Sequence, residues 1–338
     1  MRMKNKIGIK RLASESGPYK KWSLLQRREF IELRLDQEQD IKAMYEELSR
    51  EIAREIARGN RSSFDIKRLK KLQSNINDRV SELNGQMTIN FDNYIRKNIQ
   101  VGSDYSKKIT IDLITRAGIK KVTPGMVESS FQRMNAKAVE AMWNRTRYGL
   151  KLDDQIWNKS KSYRQGINNV LITGVAEGED CVTVARALEK YIKKGKGSLS
   201  ENYPNMLARM KRVPKNIEYE ALRLARTEMT SAYGMANMKS AAMNPANRGV
   251  QFVLSDSHPE YDICDEICNA DNYGMGPGAY PLDEAPDYPF HPNCICIQTQ
   301  LNEDPDTFLE RLLAWEQNPE SDMEIEQWYQ KNYAQFDL

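Results

Sequence analysis

The sequence predicts a mainly α protein, with a long helical N-terminal section followed by a small α+β C-terminal domain built on a short β-hairpin or sheet. Three observations carry that expectation. Apolar residues recur at spacings of three and four through most of the first 240 positions, the signature of one-sided helices. Two short runs, 249–255 and 294–301, alternate apolar and polar residues instead, as strands do. Between and within those runs lie four of the five cysteines and both histidines, a concentration that suits a staple for a segment poor in large apolar residues.

Taken in order, residues 1–20 are basic and aperiodic, broken by Gly17-Pro18, and are expected as an extended arm. Residues 21–103 are expected as a long helical hairpin region. A first helix over 21–58 is carried by Leu24, Phe30, Ile41, Tyr45 and Ile52 and stopped by Gly59-Asn60. A second over 64–83 runs through Ile66, Leu72, Ile76 and Val80. Asn84-Gly85 reads as a turn before a third at 87–98. Residues 104–216 form a helical middle domain. Thr123-Pro124 opens a helix, with Pro in the first turn, that follows on through 128–148, and others are expected at 152–173 and 182–192. The basic run 193–198 reads as a flexible loop and lacks the spacing of a P-loop. Residues 217–303 hold a strong helix at 218–242, stopped by Asn244-Pro245, and then the two strands. Residues 304–338 read as an acidic helical and aromatic tail. The early helices carry narrow apolar stripes without sustained heptads, so they need partners from this chain or another, and self-association through them is expected.

The charge is divided unevenly. The 338 residues carry a net charge of +3, but residues 1–225 hold 45 Lys and Arg against 27 Asp and Glu, while residues 226–338 hold 5 against 20. A near-neutral total therefore conceals +18 beside −15. The basic section can neutralise phosphates without reading sequence, and Lys193, Lys194, Lys196, Lys211 and Arg212 are its candidate nucleic-acid contacts. The acidic section would be repelled by DNA and suits a protein partner. Apolar residues make up 40%, enough for a core, and no apolar run is long enough to span a bilayer. The N-terminal residues lack the apolar stretch of a signal peptide, so synthesis in the cytoplasm is expected.

The chemistry lies in Cys264-x3-Cys268 and His291-Pro292-Asn293-Cys294-Ile295-Cys296. Thiolates and imidazole are the preferred ligands of structural zinc, which takes four of them. Here five donors compete for four places. Cys264, Cys268, His291 and Cys294 are the preferred set, with Cys296 the alternative fourth, because residues two apart on a strand face the same way. Free or partly paired cysteines are the competing reading.

The order of several motifs then becomes informative. Arg226-Thr227-Glu228 lies on a helix and is followed by an apolar strand, Asp262-Ile263-Cys264 with Cys268, a loop rich in Gly, Pro and aromatics, and the closing His291-Pro292-Asn293-Cys294-Ile295-Cys296. This resembles the C-terminal domain of phage minor head proteins, the Mu F-like head morphogenesis family, over about 217–301. The sequence departs from that pattern at Ile295, where the family has Arg, and in the three-residue spacing of its first cysteine pair. The resemblance implies a non-catalytic minor capsid protein inside the virion capsid near the portal vertex. It further implies a portal protein, a major capsid or scaffold protein and packaged double-stranded DNA as partners, with no membrane in the assembled head, and a role in head assembly, DNA packaging or DNA ejection. Arg226 and Glu228 stand two apart on a helix and do not share a face, which favours a structural use. The rival classes are a zinc deaminase, suggested by His258-Pro259-Glu260, a nuclease using Asp262, Asp265 and Glu266, and a toxin-related Mu F protein.

Overall fold

A computed structural model describes residues 7–58, 66–147, 149–176, 181–194, 219–258 and 260–336. The fold is mainly α with a small α+β region, as the sequence predicts. Its elements are α1 (Ile7–Glu15), α2 (Lys20–Ala57), α3 (Ile66–Ala117), α4 (Pro124–Asn144), α5 (Leu152–Ala176), α6 (Cys181–Lys194), α7 (Tyr219–Ala241), β1 (Asn247–Val253), α8 (Ile263–Asn269), β2 (Ala279–Tyr280), β3 (Ile297–Asn302), α9 (Pro305–Gln317) and α10 (Met323–Asn332). Among the described residues, no helix is long and apolar enough to cross a membrane. The chain divides into two units, one of residues 1–34, 94–142 and 226–338, the other of 35–93 and 143–225.

Three elements differ from expectation. The N-terminal arm is helical from Ile7, not extended. A nine-residue helix is marginal in isolation, and this one is held from outside: Leu12 packs with Val253 and Ile297, and the Gly8 amide donates to Asp256 Oδ1 at 2.8 Å. The turn expected at Asn84-Gly85 does not exist, because α3 runs unbroken for 52 residues. A glycine inside a helix costs about 1 kcal/mol, which burial of Val80, Leu83, Met87 and Phe91 on either side outweighs. The expected C-terminal tail is two capped helices that complete a core. Asp304 accepts from the amides of Asp306 and Thr307 to start α9, and Asp322 accepts from Ile325 to start α10. Phe308, Leu312, Trp315, Trp328 and Tyr333 then pack with Tyr105, Ile109, Leu113 and Phe131.

In the unit that holds the sheet, α3 and α7 approach closely at Gly102, where an added Cβ would lie 2.5 Å from the Tyr233 carbonyl oxygen and 2.9 Å from Ala236 Cβ. Their contact is polar as well as small. Ser106 donates to Gln300 Oε1 at 2.7 Å, and Gln300 Nε2 donates to the Asn237 carbonyl at 3.1 Å, all fully buried. The sheet has the order β2-β1-β3, antiparallel throughout. Val250 pairs with Tyr280 on one side and Gln300 on the other. Alternation along β1 sends Val250 and Phe252 towards the cysteines, and Val253 towards Leu12 and Ile297.

In the other unit, Tyr45 of α2 and Tyr163 of α5 meet edge to face at 5.0 Å, and Ser49 and Tyr163 join hydroxyls at 2.9 Å. Trp143 donates to Asp92 at 3.0 Å, and Arg79 pairs with Glu51 at 2.6 Å.

An ion-pair network fixes the C-terminal helices to the sheet. Arg311 reaches Asp322 at 2.7 Å, Glu303 at 2.8 Å and Glu324 at 2.7 Å, while Arg248 pairs with Glu303 and with Glu324. Burial opposes ionisation of Asp322, but the Arg311 guanidinium and the Ile325 amide outweigh it and hold the carboxyl below its usual range. A lowered folded-state pKa gives stability that is present above the unfolded value of about 4 and is lost as pH falls through the folded value. The difference in Tm between wild type and Arg311→Gln should therefore shrink as pH is lowered from 6 to about 2. A difference that stays constant over that range would show that the pair does not act through Asp322 ionisation.

Candidate metal centre

Helix α8 presents the first two sulfurs. Asp262 caps it, its Oδ1 accepting from the Cys264 amide at 2.7 Å, while Asp265 Oδ2 accepts from the Asp262 amide at 2.9 Å. This reciprocal box explains how so short a helix starts. Cys264 and Cys268 stand four apart on it, so the three-residue spacing that looks loose in sequence puts both on one buried face.

The second pair arrives on a tight turn. The Cys294 amide donates to the His291 carbonyl at 3.2 Å, and Asn293 takes a left-handed φ of 67°, a conformation that Asn tolerates better than most residues. The turn is fastened to α7, where Thr227 Oγ1 accepts from the Asn293 amide at 3.2 Å and Thr230 Oγ1 donates to the Cys294 carbonyl at 3.1 Å. His291 Nδ1 lies 2.9 Å from the Pro292 carbonyl. A proton donated there leaves Nε2 as the ligating nitrogen. That nitrogen lies 3.1 Å from Cys264 Sγ and 3.2 Å from Asp262 Oδ2, and the Cys264 and Cys294 sulfurs are 3.6 Å apart.

Among the described residues three donor sets have all their ligand atoms within 4.8 Å of one another; one is His258 with Asp262 and Asp265, and two contain cysteine, namely Cys264, His291 and Cys294, and His258, Cys264 and Cys296. Cys264 belongs to both. Cys268 belongs to neither, and its thiol interacts with that of Cys296. These Cys and His side chains lie close enough to hold a metal ion.

The electrostatics of the sulfurs point the same way. Hydrogen bonds from Cys264, Cys268 and Cys294 hold the Cys296 thiol far below its ordinary range. Cys264 is pushed up by the bonds it shares with Cys294 and Cys296 and then by burial; Cys268 is pushed up by its bond to Cys296 and then by burial. Hydrogen bonding with Cys264 lowers Cys294, but Cys296 and burial outweigh it and bring it to about 12. Thiols this close oppose one another's ionisation, and a bound cation is what would let several of them ionise together. A buried set of soft thiolates with one imidazole is the donor chemistry such an ion requires.

His258, expected as a surface or loop residue, does lie in the loop after β1 but is no surface residue. It is only 12% exposed at its side chain, with Nε2 2.8 Å from Asp265 Oδ2. Burial would lower its pKa, but Asp265 and then Asp262 raise it above the ordinary value. The His-x-Glu spacing with Glu260, beginning six residues before Cys264, was its sequence signal. Of the other residues singled out, Thr227 and Glu228 are buried on α7 and Arg226 is half-buried beside them. Ile295 brings no charge to the turn, but its carbonyl accepts from Arg27 Nη2 at 2.6 Å. Lys193 and Lys194 end α6, and Lys196, Lys211 and Arg212 lie outside the described residues. Compared with known proteins, the chain matches no protein-family model, no curated protein and no solved structure.

One glycine locks the arrangement. Gly278 has φ 70°, its amide donates to the Ala270 carbonyl at 2.7 Å, and its carbonyl accepts from Phe252 at 2.8 Å, tying the end of α8 to β1. A Cβ there would collide with the Phe252 and Cys268 carbonyl oxygens. Gly278→Ala should lower stability by more than about 1–3 kcal/mol, the cost of a strained backbone alone, measured by thermal or urea unfolding. An unchanged midpoint would contradict the close packing described.

Proposed function

We propose that this protein is a non-catalytic minor capsid protein of a bacteriophage head, its C-terminal α+β region stapled by one structural zinc ion. The observation that carries the proposal is the meeting of the motif residues. Thr227, Thr230, Asp262, Cys264, His291, Asn293 and Cys294 are scattered over some 70 positions, yet they hydrogen-bond or face one another around one buried centre. Motifs that resemble a family only by chance have no reason to converge. Cys264, His291, Cys294 and Cys296 are the four residues proposed to hold the ion, with Cys268 in reserve beside Cys296. Zinc would supply no chemistry beyond cross-linking α8 to the turn before β3.

On this reading the protein resides in the virion, inside the capsid near the portal vertex, after synthesis in the host cytoplasm. The portal is its principal partner, with major capsid or scaffold protein and packaged double-stranded DNA also in contact. The basic excess of residues 1–225 supports sequence-independent DNA contact, and the acidic excess of 226–338 supports a protein partner.

A second reading has one specific observation behind it. His258, Cys264 and Cys296 reproduce the His/Cys/Cys donor set of zinc deaminases, and Glu260 stands two residues after the histidine. Against it, the cysteines lack the Pro-Cys-x-x-Cys spacing of that signature, the second pair being Cys294-x-Cys296, and Glu260 stands only four residues before Cys264.

Four measurements test these proposals. Elemental analysis of protein purified under reducing conditions should find about one zinc per chain, and a value near zero overturns the staple. Binding to arbitrary duplex DNA should weaken steeply as salt rises from 50 to 200 mM; salt-insensitive or absent binding removes the DNA role. Co-expression with a portal protein from the same genome should yield a complex, whereas separate purification of the two overturns the portal assignment. Nucleoside turnover abolished by Glu260→Ala would favour the deaminase.

A further inference from the structure

The segment 293–296 carries two of the thiols but precedes β3, so no strand partner answers its carbonyl groups. Side chains answer all four. Arg34 Nη2 donates to the Asn293 carbonyl at 3.4 Å, and Arg34 Nη1 to that of Cys294 at 3.3 Å. Arg27 Nη2 donates to the Ile295 carbonyl at 2.6 Å and Nη1 to that of Cys296 at 3.5 Å, where the Tyr288 hydroxyl also donates at 2.6 Å. Both arginines are buried, at 6% and 7% exposure. Burying two guanidiniums is costly, and a structure retains them where they have work to do.

Their spacing fits the segment. Residues seven apart on a helix lie on the same face, about 10.5 Å apart along the axis. Three steps of extended chain cover about 10 Å. Arg34 serves 293 and 294 while Arg27 serves 295 and 296, so the segment runs antiparallel to α2 and each fork spans two successive carbonyls. Lysine has one nitrogen and cannot span two acceptors in this way.

We propose that Arg27 and Arg34 are positioning residues for the metal centre. They fix the backbone of Cys294 and Cys296 in the conformation that binds the ion, and metal loading in turn secures residues 20–34 of α2 to this segment. The inference rests on the reading that the centre holds zinc, and it adds how loading is coupled to the N-terminal section. The coupling is reciprocal: whatever factor the arginines contribute to metal affinity, the metal returns to the attachment of α2.

The test uses the full chain and zinc itself. Zinc affinity, measured by competition with a chromophoric chelator well below the melting temperature, should fall about 10- to 100-fold in Arg27→Gln and in Arg34→Gln, the range for partners that orient metal ligands. Arg27→Lys and Arg34→Lys should recover part of that loss, and the cobalt-substituted variants should shift their thiolate charge-transfer bands. Folded Gln variants that melt earlier but bind zinc as the wild type does overturn the proposal. Where a variant does not fold, wild-type protein gives the answer alone: stripping zinc should speed amide exchange at 20–34 while leaving α9 and α10 unchanged, and unchanged exchange at 20–34 overturns it. Wild type that takes up no zinc defeats the metal reading itself, an outcome distinct from either of these.

Discussion

Four thiols buried within a few ångströms of one another cannot all be charged, and the C-terminal region is arranged around that constraint. The short helix α8 brings two sulfurs to one face, and the turn at Asn293 brings two more. The aromatic residues Phe252, Tyr280, Tyr288 and Phe290 close over them and exclude water. Burial and crowding together oppose ionisation of Cys264 and Cys268. A region with a three-stranded sheet, one strand of only two residues, has little else to define its shape.

The charge asymmetry visible in composition acquires a physical partner in this arrangement. Residues 249–310 contain no Lys or Arg. The positive groups that reach the centre come from elsewhere in the chain: Arg27 and Arg34 from α2, and Arg11, which donates to the Pro277 carbonyl. Within the acidic section Arg248 and Arg311 are spent on Glu303, Asp322 and Glu324.

Much of this was legible in the sequence. The long helices declared themselves through Phe30, Ile41, Tyr45 and Ile52, or Phe131, Val139 and Met142, whose spacing reflects the burial that holds them. The strands at 247–253 and 297–302 were legible from alternation, and the cysteines and His291 from residue type. What was not legible depended on partners distant in sequence. Asn84-Gly85 is a turn by local propensity, and only the buried residues flanking it make it helical. Helix α1 and the two-residue β2 are too short to show a period. The two arginines carried no spacing signal, because their role is set by what the 293–296 segment brings alongside them.

The seven-residue interval between Arg27 and Arg34 has an evolutionary consequence. Substitutions on the exposed face of α2 between them leave the geometry intact, and exposed loops elsewhere tolerate changes of length. Inserting or deleting a single residue within the interval would rotate one arginine by about 100° relative to the other and carry its guanidinium off the segment. A stretch of helix some 230 positions before Cys264 is therefore held to a fixed length, as strictly as a ligand is held to its identity, and natural variants should drift freely in composition there but never in phase.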